Sequence, residues 1–382
     1  MRSSAALALT GFSLIAVTYG MARFSWGLML PAISSEIPFS PQQAGLLSAC
    51  SFAAYCFTIL TSAALTERYG ARVTALLALV SATAGLLLLA SASSSLMLAA
   101  GLFIAGMSSG LASPALAAAV SQRITAARQP RINTLINAGT SAGIMLTVVI
   151  LSLLPGGWRA ACVLFALLSL VCVLPVMRVL RGQAAERASR VHHWYQRLYR
   201  RSMRQLMGIA LTSGLISAAW WSFGSALLRQ HVGVDAETAR LLWLIAGSAG
   251  IAGAATGLVA ARIGLNGVYR LSLCGMALPL LVLAFSHGES IGLMVAVACC
   301  GAGYVTLSGV LLVWGARATA EDPATGVGIL FFMLAAGQVV GSLLFGQIFA
   351  CWGASTALTL FAIGALLLLF VAPAQNSEEA VK

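Results

Sequence analysis

The chain has 382 residues, of which 60% are hydrophobic and only 8% are charged, and its mean hydropathy is +0.94. Soluble domains carry about 25% charged residues, so this composition excludes a water-soluble globular protein and indicates a multispanning membrane protein. The net charge of +12 is spread over separate short loops rather than one face, which argues against nucleic-acid binding.

Apolar runs near the ~20 residues that a helix needs to cross a bilayer recur along the whole chain. Segments of this length exclude a transmembrane β-barrel. We predict an all-α membrane protein with twelve transmembrane helices in two pseudo-symmetric six-helix bundles. The predicted spans cover residues 5–30, 42–64, 73–91, 95–120, 132–154, 159–180, 206–228, 239–261, 268–286, 290–315, 325–349 and 353–373.

The first span contains Arg23, and no other charged residue lies well inside any span. A guanidinium at membrane depth costs from ~2.5 to over 10 kcal/mol, so its presence needs a reason. On a regular helix Tyr19, Arg23 and Trp26 share one face, which predicts a cationic site between two aromatic rings. Such a site suits a planar anion bound bidentately. The structural alternatives are snorkelling to the outer interface, pairing with Glu36, or binding exposed backbone carbonyls.

The loop after the second span introduces an internal repeat. Arg68 and Gly70 correspond to Arg262 and Gly264 with an offset of 194. A second set of glycines repeats with an offset of 198, namely Gly139 and Gly143 against Gly337 and Gly341. Two parallel repeats of six spans are the arrangement that a rocking-bundle transporter requires.

Later spans carry polar and aromatic side chains at helical spacing. We predict that further substrate contacts come from Tyr55, Asn137, Trp220, Tyr304 and Gln338. Hydrogen bonding or packing between helices is an equal alternative for each of these residues. For the tryptophan pair at 220 and 221 the further alternative is contact with lipid.

A basic segment at residues 181–205 separates the sixth and seventh spans. We therefore predict an N-terminal bundle over 1–180, a cytoplasmic basic linker over 181–205, and a C-terminal bundle with a short cytoplasmic tail over 206–382. Val191, Trp194, Leu198 and Ser202 share an approximate face, so an amphipathic helix bound to anionic lipid is the alternative to a plain tether.

Orientation follows from the basic residues. With the N-terminus in the cytoplasm, eighteen of the 22 basic residues lie on that side, and only Arg159, Arg229 and Arg240 lie opposite. The positive-inside rule therefore predicts that both termini are cytoplasmic. We expect a multi-pass protein of the bacterial inner membrane.

The segment at 63–72 resembles the loop signature of the major facilitator superfamily between helices two and three, and a degenerate copy recurs at 257–266. Ala63, Glu67 and Ala71 replace the usual Gly, Asp and Arg. Gly106, Ser108 and Gly110 resemble the helix-four signature, and the run at 19–31 is similar to the helix-one pattern of the YbfB/YjiJ-type bacterial branch. The resemblance implies a cytoplasmic latch built from Glu67, Arg68, Gly70, Arg72, Arg262 and Gly264.

These observations predict a secondary active transporter that works by rocking-bundle alternating access. The expected cargo is a small organic anion or an amphipathic metabolite, and the expected partners are this small molecule and membrane lipids, with the protein a monomer. A drug or metabolite efflux transporter and a nontransporting membrane sensor are the alternatives. The sequence has no P-loop and no metal or acid–base cluster within its spans, so we expect no enzyme activity, metal or cofactor.

Overall fold

The computed structural model describes residues 2–125, 128–180, 201–319 and 323–371. Most residues of the predicted linker, 181–200, therefore lie outside the described part, as do the predictions for Val191, Trp194 and Leu198. All regular structure in the described ranges is helical. In chain order the helices are α1 (Arg2–Ile15), α2 (Ser25–Glu36), α3 (Pro41–Ala90), α4 (Ser95–Arg123), α5 (Gln129–Leu153), α6 (Gly157–Val179), α7 (Arg201–Ala226), α8 (Ala236–Ala249), α9 (Thr256–Phe285), α10 (Ile291–Ala318) and α11 (Pro323–Leu368).

Nine helical stretches in the described residues are long and apolar enough to cross a membrane. Of the twelve predicted spans, two fall largely within α3 and two largely within α11, and the one at 239–261 is divided between α8, the 3-10 segment Gly250–Ala255 and the start of α9. The 50 residues of α3 correspond to ~75 Å of helix, more than twice the ~30 Å of a bilayer core. The hydroxyl groups of Thr66 and Thr74 are nevertheless 3.2 Å apart, whereas eight residues of straight helix span ~12 Å. Helix α3 therefore folds back on itself between these residues.

A glycine makes this reversal possible. Gly70 has φ 83° and ψ 162°, and its repeat partner Gly264 in α9 has φ 72° and ψ 164°. Only glycine adopts this backbone region readily. Gly353 breaks α11 in the same way, with φ 82° and ψ 171°. The repeat seen in the sequence thus marks two helix breaks of nearly identical geometry.

The second set of repeat glycines lies at matched helix contacts. A Cβ on Gly139 of α5 would meet the carbonyl oxygen of Phe12 in α1, and a Cβ on Gly337 of α11 would meet that of Leu211 in α7. Gly143 and Gly341 make the equivalent contacts one turn further on, with Ala16 and Leu215. The α5 contact with α1 is thereby repeated by α11 and α7.

The first transmembrane segment is not a regular helix. Between α1 and α2, residues Ala16–Met21 are π-helical, and residues 22–24 form a turn that contains Arg23. The backbone N–H of Phe24 donates to the carbonyl of Tyr19, five residues earlier, at 2.9 Å. Single π-helical turns are frequent at functional sites. A second π-helical segment, Leu227–Val232, extends α7.

The loops lie at two ends, which we call the Glu36 end and the Gly70 end. Near the Glu36 end, the half of the chain up to residue 180 packs tightly on the half from residue 201. A Cβ on Gly27 of α2 would overlap the carbonyl oxygen of Trp221 in α7, and a Cβ on Gly45 of α3 would overlap that of Ser342 in α11. The structure is therefore closed between its halves at this end.

The predicted latch residues lie at the Gly70 end and do not engage one another. Glu67, Arg68 and Arg262 are exposed. Arg72 instead donates from Nε to the carbonyl of Leu180 at 2.6 Å. Within the described ranges the one ion pair joins Arg159 to Glu36, at 3.0 Å and at the opposite end.

Candidate functional site

Arg23 lies in the interior of the protein with only 5% of its surface exposed. Its Nη2 donates to the Oε1 of Gln338 in α11 at 2.8 Å, so the contact joins the two halves of the chain. Glu36 is occupied by Arg159 and by the indole N–H of Trp158, which donates at 2.9 Å. The alternatives of snorkelling and of pairing with Glu36 are therefore wrong.

Four aromatic rings surround the guanidinium. Its Cζ lies 4.3 Å from the ring centre of Tyr55, 4.9 Å from that of Phe52, 5.4 Å from that of Phe24 and 5.6 Å from that of Tyr19. Each such cation–π contact is worth ~0.5–2 kcal/mol. Together with the hydrogen bond to Gln338 they offset part of the cost of burying the charge. The rings and the amide carry no net charge, so the site remains cationic.

A carboxylate that could neutralise Arg23 is missing from the described residues. All five acidic residues described are exposed, namely Glu36, Glu67, Asp235, Glu237 and Glu289. The Nε of Arg23 is buried and has no hydrogen-bond partner within the same ranges. One donor of the guanidinium fork is therefore unused, next to a second that holds only a neutral amide. A planar oxyanion matches this pair of donors.

Gln338 connects Arg23 to the second half of the chain. Its side chain is fully buried, and its Nε2 donates to the hydroxyl groups of Tyr304 in α10 at 3.2 Å and Ser217 in α7 at 3.3 Å. Ser217 and Tyr304 line a small cavity of about 10 Å³, which has room for about one water molecule.

Trp220 and Trp221 form much of the wall of this cavity. Both are buried, which contradicts the alternative that they face lipid. The ring of Trp221 lies 4.8 Å from that of Phe24 and 5.3 Å from that of Tyr304. The buried indole N–H of Trp220 has no partner in the described part of the chain. The cavity therefore offers an aromatic surface beside the Gln338 hydrogen bonds.

Tyr19 and Tyr55 link the cluster to other helices of the first half. The hydroxyl of Tyr19 is 2.6 Å from the Oγ of Ser113 in α4 and 3.4 Å from the hydroxyl of Tyr55 in α3. These contacts fix both rings beside the guanidinium.

Trp26 and Asn137 lie apart from this cluster. Trp26 donates from its indole N–H to Ser48 at 2.6 Å and stacks on Phe39, so it contacts α3 as Arg23 does but lies outside the group of rings around the guanidinium. Asn137 is exposed on α5, one turn before Ser141, on the side towards the Gly70 end.

Sequence reasoning missed Phe24, Phe52 and Ser113. Phe52 precedes Tyr55 by three residues on a helix, and this spacing is a signal that would have placed both on one face. Phe24 adjoins Arg23 in the turn at 22–24. Ser113 lies in a run of small residues in α4, where nothing in the sequence distinguishes it.

Comparisons with known proteins agree with this architecture. The family model of the Major Facilitator Superfamily matches residues 12–341. No curated protein matches the sequence. The crystal structure of a point mutant of the nucleoside transporter NupG matches with a TM-score of 0.79 at 13% identity, covering 95% of this chain and 98% of that one. A second crystal structure of NupG matches with a TM-score of 0.73 at 15% identity, covering 97% and 98%. At these identities the likeness shows a common fold.

Proposed function

This chain belongs to the major facilitator superfamily, and from that membership we propose that it is a secondary transporter whose cargo is a small organic anion bound by Arg23. The observation that carries the proposal is the Arg23 guanidinium itself. It is buried, it faces only neutral groups among the described residues, and it joins the two halves of the chain through Gln338.

An anion would complete the hydrogen bonding and the charge balance of Arg23. Removing a charge from water costs several kcal/mol in a protein interior, and the best compensation is an opposite charge with well-aligned hydrogen bonds. A carboxylate that bound Nε and Nη2 would use the free donor and displace the Gln338 amide. The rings of Tyr55 and Phe52 on one side and of Trp221 and Tyr304 on the other favour a cargo with an apolar, planar body.

The position of Arg23 at the junction of the two halves couples binding to movement. Arg23 belongs to the first half of the chain, and Gln338, Ser217 and Tyr304 belong to the second half. A cargo that contacts both halves stabilises the inward-open and outward-open states by different amounts. Such differential binding is the thermodynamic requirement for alternating access.

We assign twelve membrane crossings, counting α3 and α11 as two each and α8 with the start of α9 as one. The bundles are 1–180 and 206–382, joined by the 181–205 linker, whose last five residues already belong to α7. The Glu36 end is the outer face and the Gly70 end is the cytoplasmic face, with both termini there and the protein in a bacterial inner membrane. We infer a monomer of the YbfB/YjiJ-type branch, in which Glu67, Arg68, Gly70, Arg72, Arg262 and Gly264 close the cytoplasmic side in the opposite state.

Thermal unfolding of the detergent-purified protein with small anions tests the clamp. Benzoate and benzenesulfonate, each compared with the neutral benzamide, are the probes. A ligand present at 100 times its Kd stabilises the folded state by about 2.7 kcal/mol. We expect stabilisation by the anions but not by benzamide, loss of the effect in Arg23→Ala, and a weakened effect in Arg23→Lys, which keeps the charge but not the fork.

Arg270→Ala is the matched control, because Arg270 is an exposed arginine on α9. It should leave the anion response unchanged. An equal response to benzamide, or a full response in Arg23→Ala, contradicts the anion clamp. Stabilisation by hydrophobic cations instead would support the drug exporter, and anion binding without flux in liposomes would support the sensor.

A further inference from the structure

A second cavity lies between the halves of the chain at the Glu36 end. Its volume is about 90 Å³, enough for a small anion, and it is distinct from the cavity beside Gln338. The first half contributes an apolar wall from α2, including Leu28 and Ala32, together with Trp158 of α6. The second half contributes the polar groups, Ser225, Arg229 and Arg240.

The two arginines have no engaged carboxylate in this cavity. Three arginines occur at the Glu36 end of the described chain, and Arg159 is bound to Glu36 and to the carbonyls of Ala90 and Ala92. Arg229 and Arg240, the other two, both line the cavity, and no acidic residue in the described ranges does so. The shared location of these two like charges calls for an anionic occupant.

The charge of Arg229 acts on the carboxylate of Asp235, but this carboxylate is already engaged as a helix cap. It caps α8 by accepting the backbone N–H of Thr238 at 2.8 Å. This hydrogen bond lowers the pKa of the Asp235 carboxyl, and the charge of Arg229 adds a smaller lowering. Asp235 is exposed and lies outside the cavity lining. Its charge therefore weakens the field of Arg229 without occupying the space between the arginines.

We propose that Arg229 and Arg240 form an outer anion-binding site, which holds the carboxylate or a similar oxyanion of the cargo before or after its transfer to Arg23. That this anion is the cargo rests on the proposed function. That an oxyanion binds here does not. Helix α2 begins two residues after Arg23, and the wall residues Leu28 to Ala32 lie ~8 to ~14 Å further along its axis. The same helix thus connects the two sites.

Cysteine modification measures the electrostatic potential in this cavity and shows whether an anion occupies it. Ala32 is exposed and lines it, so Ala32→Cys is introduced into the full chain with the exposed Cys299 and Cys351 changed to Ser. A negatively charged methanethiosulfonate should react faster than a positively charged one. Changing both Arg229→Gln and Arg240→Gln should lower this rate ratio by roughly tenfold, since a cleft lined by one sign of charge concentrates opposite ions. Ser93→Cys, exposed at the same end but outside the cavity, should show no such change.

Protection by benzoate against a neutral methanethiosulfonate then tests binding. We expect benzoate to slow modification of Ala32→Cys, and the protection to disappear with the two glutamine substitutions but persist in Arg23→Ala. Loss of protection in Arg23→Ala, or its absence in the parent protein, overturns the separate site. We expect the protection by benzoate to remain in nanodiscs of neutral lipid. Protection that appears only with phosphatidylglycerol would show that the two arginines bind a lipid headgroup, and it would overturn the proposal. Failure of the Arg23 clamp shows separately, in the thermal shifts.

Discussion

At the scale of single residues, the proposed anion binding depends on the contact between Arg23 and Gln338. The amide of Gln338 satisfies one guanidinium nitrogen without supplying charge, at 2.8 Å. The guanidinium therefore keeps its full charge, and in our proposal an anionic cargo displaces this neutral amide.

Gln338→Glu should close this site to anions. A carboxylate at this position would pair with Arg23 directly, and hydrogen bonds to charged groups contribute ~1.5–3 kcal/mol against ~1 for neutral ones. We expect a higher unfolding temperature at pH 7.5 and at least ~tenfold weaker benzoate binding, which is ~1.4 kcal/mol. Gln338→Ala removes the competing amide and should retain binding. Equal affinities in both variants would show that Gln338 does not compete with the anion.

The Tyr55 ring should matter more than its hydroxyl. This ring is the nearest of the four to the guanidinium, at 4.3 Å, whereas its hydroxyl makes one long contact of 3.4 Å with Tyr19. Tyr55→Phe should change benzoate affinity little, and Tyr55→Leu should lower protein stability by the ~0.5–2 kcal/mol of a cation–π contact. Urea or thermal unfolding of both variants measures the difference. A larger loss in Tyr55→Phe would assign the effect to the hydroxyl.

The sequence singled out Arg23 by its chemistry, whereas the partners of the individual side chains depend on packing that the sequence does not show. Arg23 stands out because a charge within an apolar run is costly. Trp26 was predicted to flank Arg23 but stacks on Phe39 instead, and the π-helical segment before Arg23 has no sequence signature that we recognised. Gln338 was predicted as a site residue, but its link to Arg23 depends on the packing of the two halves.

At the scale of elements, the paired breaks at Gly70 and Gly264 set the direction of the chain after each reversal. Their backbone angles differ by no more than 11° in φ and 2° in ψ. The sequence repeat predicted the equivalence of these two positions. It did not predict that helices continue up to the breaks on both sides, because the flanking residues read as polar loops.

Alanine at either break should destabilise the protein. The backbone region of Gly70 and Gly264 costs any other residue ~1–3 kcal/mol. We expect Gly70→Ala and Gly264→Ala each to lower the unfolding temperature, since the strain is present in the folded state alone. Gly208→Ala is the control: Gly208 lies in α7 with open space around it, and alanine is favoured over glycine in helices by ~0.5–1 kcal/mol. Unchanged stability in both break variants would mean that the reversal tolerates other backbone angles.

At the scale of the whole molecule, the structure is closed at the Glu36 end, and the close approach depends on glycine. Gly45 of α3 lies against the backbone of α11 at Ser342. The sequence predicted the family fold, because apolar length and the internal repeat are strong signals. It held no information on which end is closed, since one sequence must support both states.

Gly45→Ala should shift the protein towards the state open at the Glu36 end. The added Cβ overlaps the Ser342 carbonyl oxygen in the closed arrangement but has space once the halves separate. A cost of ~1.4 kcal/mol in the closed state changes the population ratio tenfold. Spin labels on Ser35→Cys and Gln347→Cys, both exposed and in opposite halves, report the distance across this end. A distance distribution identical to that of Gly208→Ala would show that Gly45 does not control closure.

Anion exchange in proteoliposomes tests the central claim most directly. The measurement is counterflow of the radiolabelled carboxylate that stabilises the protein most, compared between the parent protein, Arg23→Ala and Arg270→Ala. The account predicts rapid exchange by the parent and by Arg270→Ala, and a loss of at least ~tenfold in Arg23→Ala, equivalent to ~1.4 kcal/mol of barrier. Exchange by Arg23→Ala at the parent rate would contradict the role of the buried guanidinium as the anion clamp.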